Sequence, residues 1–205
     1  MAITHNTADP HGSRRVFPMI LHWPGLLEGA RYSAKHYHVD IFATVLELLE
    51  RKVPDAWDGE SFATALKNGI DQGRDFLVVS QAAWACQRGV RFDDYLYLNT
   101  RHDAFHLWDD ELLFNVQSDP YQQNNLAPTS LAVLAEGRDL LDRWLGDMMV
   151  DAARGRDPHD NVMREGGPYH VRGKLESYLR RLRHRTPAAR SSWPINWLTK
   201  YPNEL

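Results

Sequence analysis

VRFDDYLYLNTR, Val90 to Arg101, decides the fold: it reads as two short strands separated at Phe92-Asp93-Asp94, a connection tight enough for an antiparallel hairpin. Reading outward, RDFLVVSQ (74–81) and CQRGVRF (86–92) precede the turn. ELLFNVQ (111–117) follows it after the longer connection HDAFHLWDD (102–110). The run predicts a small antiparallel meander over residues 74 to 117.

Helical periodicity flanks the meander. In HVDIFATVLELLERK, Ile41, Val45, Leu48 and Leu49 share one face at helical spacing, widened by Phe42 and Leu46, which predicts a helix from Val39 to Leu49 packed on a sheet. Pro54 and the polar WDGES break the pattern, and Phe62, Ala65 and Leu66 predict a short helix ending near Asn68-Gly69. After the loop SDPYQQNNLAPTS, the segment TSLAVLAEGRDLLDRWLGDMM predicts a long helix. Thr129 or Ser130 caps it, and Leu131, Leu134, Leu141, Leu145 and Met148 form its buried stripe. Gly137 interrupts that helix at a cost of about 1 kcal/mol relative to alanine. From Arg154 the chain becomes a basic, partly helical tail in which Leu175, Tyr178, Leu179 and Leu182 form an apolar stripe, leaving the arginines solvated.

At the other end, VFPMILHWPG (16–25) is apolar on both faces and closed by Pro24-Gly25, the pattern of a buried strand in a layered α/β protein. The fold class expected is α/β and partial. The end of a large mixed sheet with covering helices (1–72) leads to a small antiparallel sheet with a helix (73–153) and the basic tail (154–205). With 205 residues, 43% of them hydrophobic, the chain has material for a sizeable core. A net charge of −3 provides no global field for nucleic acid or acidic membranes. Cys86 stands alone, excluding an internal disulfide framework. Neither a transmembrane span nor a signal peptide is legible, so a cytoplasmic location is the default expectation.

The order of the pieces resembles the C-terminal half of a sulfatase, in the alkaline-phosphatase-like superfamily. RRVFPMILHWPGLLEG stands where the family has a strand close to VPLIVRWPG, and HVDIFATVLELLE where it has VDLYPTLLEL. WDGESFATAL matches DG-x-SL, and VRFDDYLYLNTRHDAFHLW matches V-R-x-x-x-Y-K-x-I. Phe114-Asn115-Val116 and Asp119-Pro120 through Asn125-Leu126 follow the closing Y-D-L-x-x-D-P-x-E-x-x-N-L, with Gln122-Gln123 at the usual acidic place. VMREGGPYHVRGKL is similar to the end of one branch of bacterial sulfatases.

The resemblance implies hydrolysis of sulfate esters by a formylglycine matured within C/S-x-P-x-R, with Ca²⁺ held by Asp and Asn oxygens. Neither the nucleophile motif nor the ligand set is visible here, so the chain alone is expected to bind no metal and to be inactive. Cys86 sits in A-C-Q-R-G, with Arg88 where proline would stand. The resemblance places His5 at a Lys or His position that contacts sulfate. It places His102 and His106, in H-D-x-x-H between two strands, at the rim of the substrate pocket. The partners implied are a sulfate-ester substrate and an N-terminal half supplied in trans, or a second copy of the chain. No nucleic-acid or membrane partner is expected. The other reading is a non-catalytic binding or assembly module derived from the same fold.

Overall fold

The computed structural model describes residues 19–26, 29–150 and 155–185. Its centre is the expected meander: β1 Phe76–Gln81, β2 Cys86–Phe92, β3 Tyr95–His102 and β4 Glu111–Asn115, antiparallel and in the order β1-β2-β3-β4. Phe92 pairs with Tyr95 across the two-residue turn, where Asp93 takes φ 38°, a conformation aspartate tolerates better than most residues. The Arg91 guanidinium straps this turn, donating to the carbonyls of Phe92 at 2.9 Å and Tyr95 at 3.0 Å.

Strand alternation gives the sheet two apolar faces. Val78, Val90, Phe92, Tyr97 and Leu113 meet Leu134 and Leu141 of α3, Leu131–Met149. Val79, Leu96, Leu98 and Phe114 are buried on the opposite face. Gly137 is where α3 comes closest to the sheet, since a Cβ there would lie 2.7 Å from the Tyr97 Cβ. The residue that reads as a defect in the helix is therefore a contact point. Leu134 and Leu141, one turn to either side, are buried, whereas Leu131 lies beyond the crossing and is 68% exposed. Ser130 precedes the helix without a side-chain capping bond.

The D-P-x-x-x-x-N-L segment covers the edge of β4. Asn125 Oδ1 accepts from the Leu113 N–H at 3.0 Å and from the Ala127 N–H at 3.0 Å, and the Leu126 N–H donates to the Leu113 carbonyl at 2.8 Å. A free strand edge is thereby closed.

Before the sheet lie α1 His38–Leu48 and α2 Ala63–Asn68, the latter ended by Gly69 at φ 67°. The face of α1 differs from expectation. Asp40, Ala43 and Thr44 are buried, Ile41, Val45 and Leu48 are partly covered, and Phe42 and Leu49 are 63% and 53% exposed. The cause is Asp40, whose fully buried carboxylate turns its own side of the helix inward.

The strand expected at Val16–Leu21 is not found in its described part. Met19, Ile20 and Leu21 lie outside any strand and are exposed, and no parallel pairing occurs among the described residues. Without a neighbour strand, a doubly apolar run has nothing to pair with. Val16, Phe17 and Pro18 lie outside the described residues. Beyond α3 come α4 Pro158–Arg164 and α5 Leu175–Arg185. Leu175, Tyr178 and Leu179 turn toward the sheet's connections, as their spacing requires.

Candidate functional site

Three polar constellations stand on this scaffold. In the first, Asp40 accepts from the backbone N–H of Tyr37 at 2.7 Å and of Glu60 at 2.8 Å, and from Arg74 through Nε at 2.9 Å and Nη2 at 2.6 Å. Burial alone would raise the Asp40 carboxyl, but the Arg74 fork and these N–H groups hold it below its ordinary value. Arg74 also reaches the Asp58 carbonyl at 3.0 Å and the Glu60 carboxylate at 2.7 Å. Gly59 is required beside it, since a Cβ would stand 2.5 Å from the Val39 carbonyl oxygen. With every partner internal, this is a clamp joining α1, WDGES and the start of β1 rather than a reacting centre.

The second holds α4 to the sheet. Arg88 of β2 forms a two-pronged pair with Asp157, at 2.7 and 2.8 Å, and Arg101 of β3 pairs with Asp160 at 2.6 Å. Between them His159 is 4% exposed. Burial, then the positive charge of Arg88, brings its imidazole down to about 4. Burial would raise Asp157, yet Arg88 and the His159 N–H hold it at about 2. Cys86, buried in the same region, is pushed up to about 11 by desolvation, which makes it a poor nucleophile, in keeping with its sequence context.

The third is the β3–β4 connection. His102 is the last residue of β3, not a loop residue, and is 3% exposed. Its Nδ1 accepts from the Ala104 N–H at 3.1 Å, and its ring meets Phe105 edge-on at 5.3 Å. The Asp103 carboxylate accepts from the Phe105 N–H at 2.9 Å, supporting left-handed backbone at Ala104 and Phe105. His106 is exposed and stacks on Trp108, with ring centroids 4.8 Å apart. Desolvation against these neighbours lowers its pKa while the Asp103 charge opposes the shift, so the ring is neutral at neutral pH. His102 borders Phe105 and His106 borders Tyr178, which itself meets Phe105, but only His106 faces solvent. His5 lies outside the described residues.

No group of three or more His, Cys, Asp and Glu side chains among the described residues is placed to hold a metal ion. No described helix is long and apolar enough to cross a membrane. The ion pairs holding α4 and the stack of Trp84 on His170, with centroids 4.5 Å apart, left no sequence signal, since their members lie far apart in the chain without periodicity.

No family model matches the chain. It is 30% identical over 118 residues to an ulvan-active sulfatase of Formosa agariphila, a match covering 53% of this chain and 22% of that protein. A solved 2-O GAG sulfatase aligns at TM-score 0.46 and 25% identity, over 58% of this chain and 26% of its own. A protein solved with its substrate D-glucosamine-2-N,6-O-disulfate aligns at TM-score 0.48 and 16% identity, over 58% and 25%. The chain spans about a quarter of the length of these proteins. Its motifs in order, together with the curated match, make the chain a relative of the sulfatases that corresponds to a part of their length.

Proposed function

We propose that this chain forms the C-terminal part of a hydrolase that splits sulfate esters into an alcohol and sulfate, and that it supplies scaffold and substrate rim rather than the attacking group. The 118-residue match to the ulvan-active sulfatase carries the reading. The duties of the motif residues support it: Asp40, Gly59 and Asn125 are engaged in holding the fold.

Cys86 is buried and protonated and is not set up as a nucleophile. Nucleophile and metal ligands are assigned to polypeptide beyond the described residues. At the rim, the neutral His106 offers an N–H to a sulfate or hydroxyl oxygen of the substrate. Buried His102 acts through the loop, fixing Ala104 so that His106 is presented outward. His5 would neutralise charge on the sulfate in the transition state.

Kinetics of a longer protein containing this chain test the assignment. His5→Ala is expected to lower kcat by about 10²-fold, the scale of a lost oxyanion contact, while leaving KM near its original value. His106→Ala is expected to raise KM and alter the preference among sulfate esters, because a rim residue holds the part of the substrate that does not react. A longer protein that releases no sulfate from aryl or saccharide sulfates would refute the reading.

A further inference from the structure

We infer that α4 is an acid-released latch: a proton taken up by His159, buried between two ion pairs, frees the helix from the sheet while the meander stays folded. His159 is the buried residue of α4, and its Nδ1 has no hydrogen-bond partner among the described residues. A proton arriving on the ring would create a buried cation with no oxygen set at Nδ1 to receive it.

The charges that face His159 are already matched. Arg88 of β2 takes both oxygens of Asp157, at 2.7 and 2.8 Å, and Arg101 of β3 takes Asp160 at 2.6 Å. Two guanidinium groups against two carboxylates cancel, so a protonated imidazole leaves one charge uncompensated. Cys86 of β2, buried in the same region and protonated, offers no anion. From α3 comes the neutral Trp144 ring, with the Arg88 guanidinium 5.6 Å from its centroid.

Little else holds the helix. Val162 and Met163 are only half-buried, and left-handed glycines flank α4, Gly155 at φ 68° and Gly166 at φ 87°, where backbone can reorient without a Cβ penalty. Past them the chain is pinned: Pro168 is fully buried and the His170 N–H donates to the Ala83 carbonyl at 3.1 Å. The helix can therefore leave while the turn before α5 stays. Burial first, then Arg88, holds the docked imidazole at about 4 against 6.5 in water, so docking is full above 6.5 and weakens as pH falls toward 4. Asp157, held at about 2, stays ionised through that window. The latch stands whether or not a longer protein releases sulfate.

Hydrogen exchange of the 205-residue chain tests the latch, with protection corrected for the intrinsic exchange rate at each pH. At pH 7 the amides of residues 161–167 are expected to be at least about tenfold less protected than those of β2 and β3, because α4 opens alone. At pH 5 they should lose about a further 20-fold, the ratio set by pKa values of 6.5 released and about 4 docked. In His159→Gln this loss should shrink to about threefold or less. Arg101→Gln, which removes one opposing cation, should give a loss between the two, and it carries the test if His159→Gln does not fold. Far-UV circular dichroism at pH 7 establishes which variants are folded. Protection of α4 equal to that of β2 and β3 at both pH values would show that the helix opens only with the whole fold. That result, no loss in the parent at pH 5, or a loss undiminished in a folded variant would each overturn the inference.

Discussion

Asp40 and Arg74 place a charged pair beneath a helix whose periodicity predicts an apolar inward face. The Asp40 side chain is 1% exposed and that of Arg74 17%, so neither charge has water to fall back on. Asp40→Asn should destabilise the chain by about 3–5 kcal/mol, because the guanidinium would lose its buried counter-charge and keep only the exposed Glu60 carboxylate. Urea unfolding of parent and variant measures this, and a loss below about 1 kcal/mol would show the clamp to be dispensable. At Gly137 two effects compete. Alanine adds about 1 kcal/mol of helix propensity, but its methyl would enter the space of Tyr97 and Phe92. Overpacking of about 1–3 kcal/mol wins, so Gly137→Ala should lower the Tm. An unchanged or raised Tm would mean that α3 moves away from the sheet at little cost.

Elements were legible wherever one physical signal dominated. The meander announced itself through short apolar runs and tight polar turns, and α2 through its closing Asn68-Gly69. The inward face of α1 was not legible, because a buried carboxylate outweighs an apolar stripe only once Arg74 has been brought to it by the fold. The docking of α4 was hidden for the same reason, as Arg88 and Asp157 are 69 residues apart. Of the candidate site, the sequence showed which histidines exist but not that β3 runs on through His102 and buries it. The α4 contact carries a pH signature. His159 has a pKa of about 4 when folded, against 6.5 for a histidine in water, so as pH falls from 6.5 to 4 the unfolded chain takes up a proton that the folded chain refuses. Stability should decline through that window by roughly 3 kcal/mol, then further as Asp157 protonates between 3.8 and about 2. Unfolding midpoints at pH 7 and pH 4.5 should differ less in His159→Gln than in the parent, and an equal difference would remove His159 as the cause.

At the scale of the whole molecule, the buried core gathers around the meander, while the apolar flank of α1 and the run Met19–Leu21 remain uncovered by the described residues. The side chains tied into the most hydrogen bonds are the ones that hold elements together, and His106 and rings such as Tyr169 and Trp84 stand among the exposed side chains. Under the proposed function, this part frames a substrate while other polypeptide attacks it. The direct test is sulfate release from a sulfated polysaccharide and an aryl sulfate, measured on the 205-residue chain and on a longer protein that carries the C/S-x-P-x-R nucleophile ahead of it. The account predicts release by the longer protein and none above buffer by the chain alone. Turnover by the chain alone that survives Cys86→Ala would contradict it.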